Sequence, residues 1–223
     1  DEIARHAAAS MAAGRLEEAE QAFARIVALN PREHGALQAL AVIALRTDRP
    51  AAALERARRA HALDRRNPEY LNTLGIACGA CGQTEDAVAA FRRAVRERPA
   101  YADAHCNLGI ALRRLGRLDD ATTALRRAAV LAPEAVGAHL NLGKALLDAG
   151  NGEAAAASFR TGLALDPRNA EAANHLGLGL QALGRLDEAI ESFRRAVTSD
   201  PRDADAHNNL GLALRLKGRE QEA

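Results

Sequence analysis

The sequence predicts an all-α solenoid, and three observations predict it. The chain repeats itself every 34 residues: Leu108-Gly109, Ala121, Leu125 and Pro133 recur as Leu142-Gly143, Ala155, Phe159 and Pro167. They recur again as Leu176-Gly177, Ala189, Phe193 and Pro201, and earlier as Leu74-Gly75, Ala87, Phe91 and Pro99. Within the repeat, apolar residues follow the three-four spacing of a helix face. Glycine and proline fall at fixed phases, where each ends a helix. Such a period means a stack of one supersecondary unit, too small to bury its apolar face alone.

The stretch Ala102–Ala135 shows why each element forms. Asp103 to Leu115 contains no proline, and Leu108, Ala111, Leu112 and Leu115 share one helical face. Gly116 ends this helix because it takes a left-handed conformation without a Cβ penalty. Asp119 and Asp120 then suit the positive end of a second helix. Leu118, Ala121, Leu125, Ala128 and Ala129 form its inward face, and Arg126 and Arg127 lie toward its C-terminal half. Pro133 blocks continuation. Gly109 and Ala121 are expected to let the two helix backbones approach closely.

These residues resemble the tetratricopeptide repeat (TPR) family, whose helix A carries a bulky residue, Leu-Gly and Tyr, and whose helix B carries Ala and Phe before a closing Pro. The Leu-Gly, Ala, Phe and Pro positions are kept. His105, His139 and His207 stand at the bulky position of three repeats, and Leu112, Leu146, Leu180 and Leu214 stand at the Tyr position. The resemblance covers nearly the whole chain and implies a TPR solenoid, a right-handed superhelix of antiparallel helix pairs.

Taken in order, the 223 residues read as one elongated domain without a compositional break. The repeats are 1–33, 34–67, 68–101, 102–135, 136–169 and 170–203, with a partial seventh at 204–223. The first lacks Leu-Gly, with His6-Ala7 in its place, but keeps Gly14, Ala19, Phe23 and Pro31. The second diverges most: Leu40-Ala41 replaces Leu-Gly, Asp48 the turn glycine and Arg65 the proline. Pro50 falls at a helix start, where proline is tolerated. The seventh stops at Ala223 in the first turns of its second helix, so the chain is expected to be a fragment of a longer protein or to be covered there by another copy. It starts at Asp1 without Met, which leaves a removed leader open.

Composition narrows the function classes. Apolar residues make up 48% of the chain, enough for a folded core, and no run of 18 apolar residues offers a membrane span. The net charge is +1 and aromatic content 3%. Arginine doublets recur at Arg58-Arg59, Arg92-Arg93, Arg126-Arg127 and Arg194-Arg195. Acidic pairs recur with them, at Glu17-Glu18, Glu85-Asp86, Asp119-Asp120 and Asp187-Glu188. With no aromatic platform for bases, helix-dipole matching and solubility explain both sets, and no nucleic-acid partner is expected. Phosphate-binding loop, dinucleotide fingerprint and nucleophile elbow are all lacking, so no enzyme, catalytic residue or cofactor is expected. Cys78 and Cys81 form a CxxC with no βαβ context and read as small buried apolar residues. Three cysteines, an odd number, fit a reducing compartment, and a cytoplasmic location is expected. His105, His139 and His207 sit on separate helices ~8–10 Å apart, too far to share zinc easily. They are expected to pack at the helix-pair interface, and no metal site is expected.

By the resemblance, residues 2, 5, 6, 9, 12 and 13 of each repeat face a concave groove. The sixth is Asn107, Asn141 and Asn209, with His175 and Thr73 in two other repeats; the fifth adds Asn72, Asn174 and Asn208 as candidates. This row resembles the asparagine ladder of O-linked N-acetylglucosamine transferase-type TPR superhelices. An Asn amide both donates and accepts, so a row of them can hold the backbone of an extended peptide. An exposed Asn before Leu-Gly is also simply tolerated in such repeats, and that reading stays open. Arg113, Lys144 and Arg215, with Arg114, lie on or near the same surface beside Asp103, Asp148 and Asp205. The groove is therefore mixed in charge, and Lys144 with Asn107, Asn141 and Arg113 offers at most a weak carboxylate-holding set.

The expected function is protein–protein recognition: binding an extended segment of a protein or peptide partner in the groove. Two alternatives stand beside it. The chain could be the substrate-recruiting arm of a larger enzyme, as in bacterial glycosyltransferases and sulfotransferases with TPR arms. It could also be a structural scaffold that self-associates through its C-terminal end.

Overall fold

The computed structural model describes residues 2–218, and among them lie thirteen α-helices and no strand. The first helices of the pairs (A helices) are α1 (Glu2–Ala12), α3 (His34–Arg46), α5 (Pro68–Ala80), α7 (Ala102–Arg114), α9 (Val136–Asp148), α11 (Ala170–Ala182) and α13 (Ala204–Leu216). The second helices (B helices) are α2 (Leu16–Leu29), α4 (Pro50–Leu63), α6 (Thr84–Glu97), α8 (Leu118–Leu131), α10 (Gly152–Leu165) and α12 (Leu186–Ser199). From α3 onward each A helix starts 34 residues after the last. The expected helix 103–115 runs one residue earlier at both ends. The first turns of the seventh repeat's second helix, expected after Gly218, lie outside the described residues. No described helix is long and apolar enough to cross a membrane.

The chain divides into two compact bodies, Asp1–Ala111 and Leu112–Ala223, with the division inside α7. In the N-terminal body each helix from α1 to α6 packs on the next, and α3 also packs on α5. Leu37, Ala60 and Tyr70 join α3, α4 and α5 in one cluster, with Val27 and Leu63 against it. Leu71, Ala94 and Ala104 do the same for α5, α6 and α7. In the C-terminal body α8 to α13 pack in sequence, α9 and α13 both touch α11, and Phe159 and Phe193 are fully buried.

Turn glycines close the A helices. Gly14, Gly82, Gly116, Gly150, Gly184 and Gly218 all have φ between 72° and 77°. Asp48 holds the same place in the second repeat at φ 53°, so a Cβ is forced into the left-handed region. Pro50 opens α4, where its missing N–H leaves no helical bond unmade. Asn67, Asn151, Asn169 and Asp203 cap α5, α10, α11 and α13 through side-chain oxygens that accept backbone N–H bonds.

At Gly75, Gly143 and Gly177 the Leu-Gly glycine makes room for a side chain of the second helix. A Cβ built on Gly75, Gly143 or Gly177 would lie 2.5 Å from a ring carbon of Phe91, Phe159 or Phe193. Glycine is therefore required by the flat ring laid across it from helix B. The second repeat changes both partners at once, with Ala41 opposite a sequence position filled by Ala57 instead of Phe.

The repeated histidines also differ from expectation. His105, His139 and His207 do not fill the helix-pair interface. Each ring stays partly or wholly exposed, with Nε2 3.1, 2.8 and 3.1 Å from the carbonyl of Pro99, Pro133 and Pro201, six residues earlier. They tie the closing proline of one repeat to the A helix of the next.

Part of the arginine pattern is structural as well. Arg93 donates through Nη2 to the carbonyl of Arg65 at 3.2 Å, and Arg195 donates through Nη2 to that of Pro167 at 2.7 Å. Both acceptors lie 28 residues back, in the turn two residues past the end of the preceding repeat's second helix.

Candidate functional site

The A-helix faces bring the expected site residues into two settings. Gln38 donates through Nε2 to Thr73 Oγ1 at 2.5 Å. Asn107 donates through Nδ2 to Asn72 Oδ1 at 3.0 Å, and Asn209 repeats this bond to Asn174 Oδ1 at 3.0 Å. Each pair spans adjacent repeats at a sequence offset of 35. Thr73, Asn72 and Asn174 are 6%, 7% and 8% exposed. These three do not present a free polar edge to a ligand; they pin adjacent A helices together. Asn107, Asn141 and Asn209 are half-buried or exposed, and Asn208 is exposed. Asn107 and Asn209 each keep an acceptor oxygen and a second N–H beyond the bond they donate.

In the C-terminal body the charged candidates form pairs. Arg113 Nε lies 3.5 Å from Asp148 Oδ2, and Lys144 donates to Glu171. His175 lies over Phe159, ring centroids 5.5 Å apart and planes 15° from parallel. Its Nε2 is 4.0 Å from Glu171 Oε1, while Nδ1 is buried without a partner. Burial, then the charge of Lys144, holds the imidazole pKa below its ordinary value, so the ring is neutral at neutral pH. The cations expected to hold a ligand carboxylate already face carboxylates of the chain. Arg215 is exposed on α13.

The ninth position, expected on the groove, carries a further feature that the expected site names only at Lys144. From the second repeat onward the ninth residues are Val42, Ile76, Ile110, Lys144, Leu178 and Leu212, aliphatic in five of these six. Ile76 is 37% and Leu212 45% exposed. Within each body these aliphatics stand one helical turn beyond the polar pairs.

The other candidates settle into ordinary roles. Cys78 is buried beside an open cleft of about 240 Å³ lined by Leu74, Asp86 and Arg93, among others. Burial raises its thiol pKa, the opposite of what a reactive thiolate needs. No group of three or more His, Cys, Asp or Glu that could hold a metal ion occurs among the described residues.

Paired helices repeating at 34 residues, with polar and aliphatic rows along the A helices, define a helical-repeat solenoid protein. The tetratricopeptide repeat family profile matches residues 72–136 and 140–180, and a TPR repeat profile matches 180–218. The chain belongs to the tetratricopeptide repeat family. No curated protein matches the sequence. Among solved structures, the type IV pilus biogenesis factor PilW is similar with a TM-score of 0.83 and 21% identity, over 93% of this chain and 96% of that one. YrrB, described as a TPR protein with an unusual peptide-binding site, gives 0.70 and 21%, over 85% and 97%. A thermophilic TPR protein of Thermus thermophilus gives 0.62 and 26%, over 82% and 99%.

Proposed function

We propose that this chain is a non-enzymatic protein-interaction module that binds extended peptide segments on its A-helix faces. The observation that carries the reading is the Asn row. Bonds between neighbouring repeats hold Asn107 and Asn209 in fixed orientations and leave each with an acceptor and a donor. An extended segment carries unpaired backbone N–H and C=O groups that such amides satisfy. Preorganised side chains lose little freedom on binding, which favours affinity. The peptide-binding site named for the structurally similar YrrB fits the same reading.

The test uses a pool of random peptides, each about a dozen residues long, displayed on phage and selected on the immobilised chain. The pool is expected to enrich binders that are lost on the combined change Asn107→Ala and Asn209→Ala with circular dichroism unchanged. The same binders are expected to survive Arg126→Ala with Arg127→Ala on α8. Binders indifferent to the first set and lost with the second would overturn the reading, as would a pool that yields no binders.

A further inference from the structure

We propose that the cleft between α1, α2 and α3 is an anchor site for an aromatic side chain of a partner peptide. This rests on the peptide-binding reading above and adds to it a site apart from the Asn row. The cleft measures about 520 Å³ and lies within the N-terminal body. Ile3 on α1, Phe23, Ile26 and Leu29 on α2, and Ala36 on α3 line it. Concave sites of ~300–1,000 Å³ with mostly apolar walls are the usual form of a ligand pocket.

The repeat shows what such a cleft holds. Adding 34 to Ile3, Ile26, Leu29 and Ala36 gives Leu37, Ala60, Leu63 and Tyr70. At that next interface the four pack together: Leu37, Ala60 and Tyr70 form one buried cluster, with Leu63 against it. The Tyr70 hydroxyl lies 2.7 Å from His34 Nδ1, which holds the ring in place. One repeat further on, Leu71, Ala94 and Ala104 take the places of Ile3, Ile26 and Ala36, and Tyr101 packs against them. Tyr101 stands where Glu33 stands at the first interface. The chain has two tyrosines, and it lays one on this cluster at each of these two interfaces. At the first interface Ala36 and Glu33 occupy the two tyrosine positions, and the cleft is left open.

The exposure of the walls follows from that difference. Leu37 and Ala60 are 1% and 0% exposed in the Tyr70 cluster, whereas Ile3 and Ile26 are half-buried and Leu29 is 74% exposed. Phe23 is half-buried too, although Phe91, Phe159 and Phe193 at the same place in their repeats are buried. Apolar walls left in water gain from an apolar occupant, and the two filled counterparts show that an aromatic ring has the right shape. Of the lining residues only Glu33 carries a charge. It lies at the rim beside Asn30, whose Nδ2 donates to it at 3.5 Å, and its carboxylate keeps acceptor capacity for a backbone N–H of the peptide that brings the ring. Arg5 and Arg32 are exposed nearby and do not line the cleft.

Nuclear magnetic resonance on the whole chain, labelled at its isoleucine and leucine methyl groups, tests this. Three serine-rich peptides of about a dozen residues are titrated in, with phenylalanine, leucine or alanine at the centre. The phenylalanine peptide is expected to shift the methyl signals of Ile3, Ile26 and Leu29. It is expected to bind at least about tenfold tighter than the alanine peptide and about threefold tighter than the leucine peptide. Ala36→Tyr supplies a ring from the chain itself and is expected to abolish the preference for phenylalanine over alanine. Leu29→Ser changes an exposed residue and is expected to weaken the phenylalanine peptide about threefold or more with circular dichroism unchanged. Val130→Ser, at a similarly exposed residue on α8, is expected to change it less than about twofold. Equal affinity for the phenylalanine and alanine peptides overturns the proposal, as does indifference to both Ala36→Tyr and Leu29→Ser. Shifts confined to Ile76, Ile110 and Leu212 also overturn it, while leaving the wider reading in place. Self-association of the chain lost on Ala36→Tyr makes a second copy the occupant instead. If none of the three peptides binds, the proposal fails, and the random-peptide selection decides separately whether the wider reading stands.

Discussion

Asn72 and Asn107 lie 35 residues apart, and their amides meet at 3.0 Å between α5 and α7. The bond turns a stack of similar helices into one with a defined register, because slipping either helix by a turn would take the Asn107 donor away from the Oδ1 of the buried Asn72. A double-mutant cycle of Asn72→Ala and Asn107→Ala, read by urea unfolding, is expected to give a coupling of about 0.5–1.5 kcal/mol. A coupling near zero would reduce the bond to a bystander.

Gly143 and Phe159 make a second testable pair. A methyl at residue 143 would stand 2.5 Å from the ring, so the ring or helix α10 must shift. Gly143→Ala is expected to cost about 1–3 kcal/mol. In a Phe159→Leu background the same change should cost clearly less, since the flat ring edge is gone. Additive costs in the two backgrounds would contradict the packing account.

Asp48 carries strain that its counterparts avoid, with φ at 53° where the other turns have glycine. Asp48→Gly is expected to stabilise the chain by about 1 kcal/mol, a rise in Tm of roughly 2–4 °C. Differential scanning calorimetry reads this directly, and a lower Tm would show that the Asp side chain contributes more than its backbone costs.

His61 predicts acid sensitivity. Its equivalents in other repeats are Val27, Val95, Ala129, Leu163 and Val197, and its Nδ1 is buried without a partner. Burial, then Arg93 and Arg65, lower its pKa, while Asp64 acts weakly the other way. A lowered folded-state value means the unfolded chain takes up the proton first. Stability is therefore full above the unfolded value near 6.5 and falls as pH drops below it. His175 contributes in the same direction. His61→Val is expected to flatten the loss of Tm between about pH 7 and pH 5. An unchanged slope would remove His61 from the account.

Much of the fold is legible in the sequence because helix ends and the repeat are written in residue types with strong backbone preferences. Pro133, Gly116 and Asp119 each act through a local mechanism that needs no knowledge of the neighbouring repeat. The inter-repeat bonds are harder to see. Arg93 and Arg195 bind backbone carbonyls, and an acceptor carbonyl has no signature in the sequence. Asn is usually exposed, which places Asn72 and Asn174 in the groove on sequence grounds, and only the stack shows that the next repeat covers them. The 35-residue offset of Gln38–Thr73, Asn72–Asn107 and Asn174–Asn209 is present in the sequence as a pattern, as is the aliphatic ninth position. Lys144, the one charged member of that row, masks it.

The central claim is that ligands lie on the A helices. Photo-crosslinking tests it most directly. A benzophenone amino acid would be placed singly at residues 76 and 212 on the A-helix faces and at residues 59 and 127 on α4 and α8. Each protein would then be irradiated with peptides enriched from the random pool. The account predicts crosslinks from residues 76 and 212 and none above background from 59 and 127. Crosslinks confined to residues 59 and 127 would contradict it.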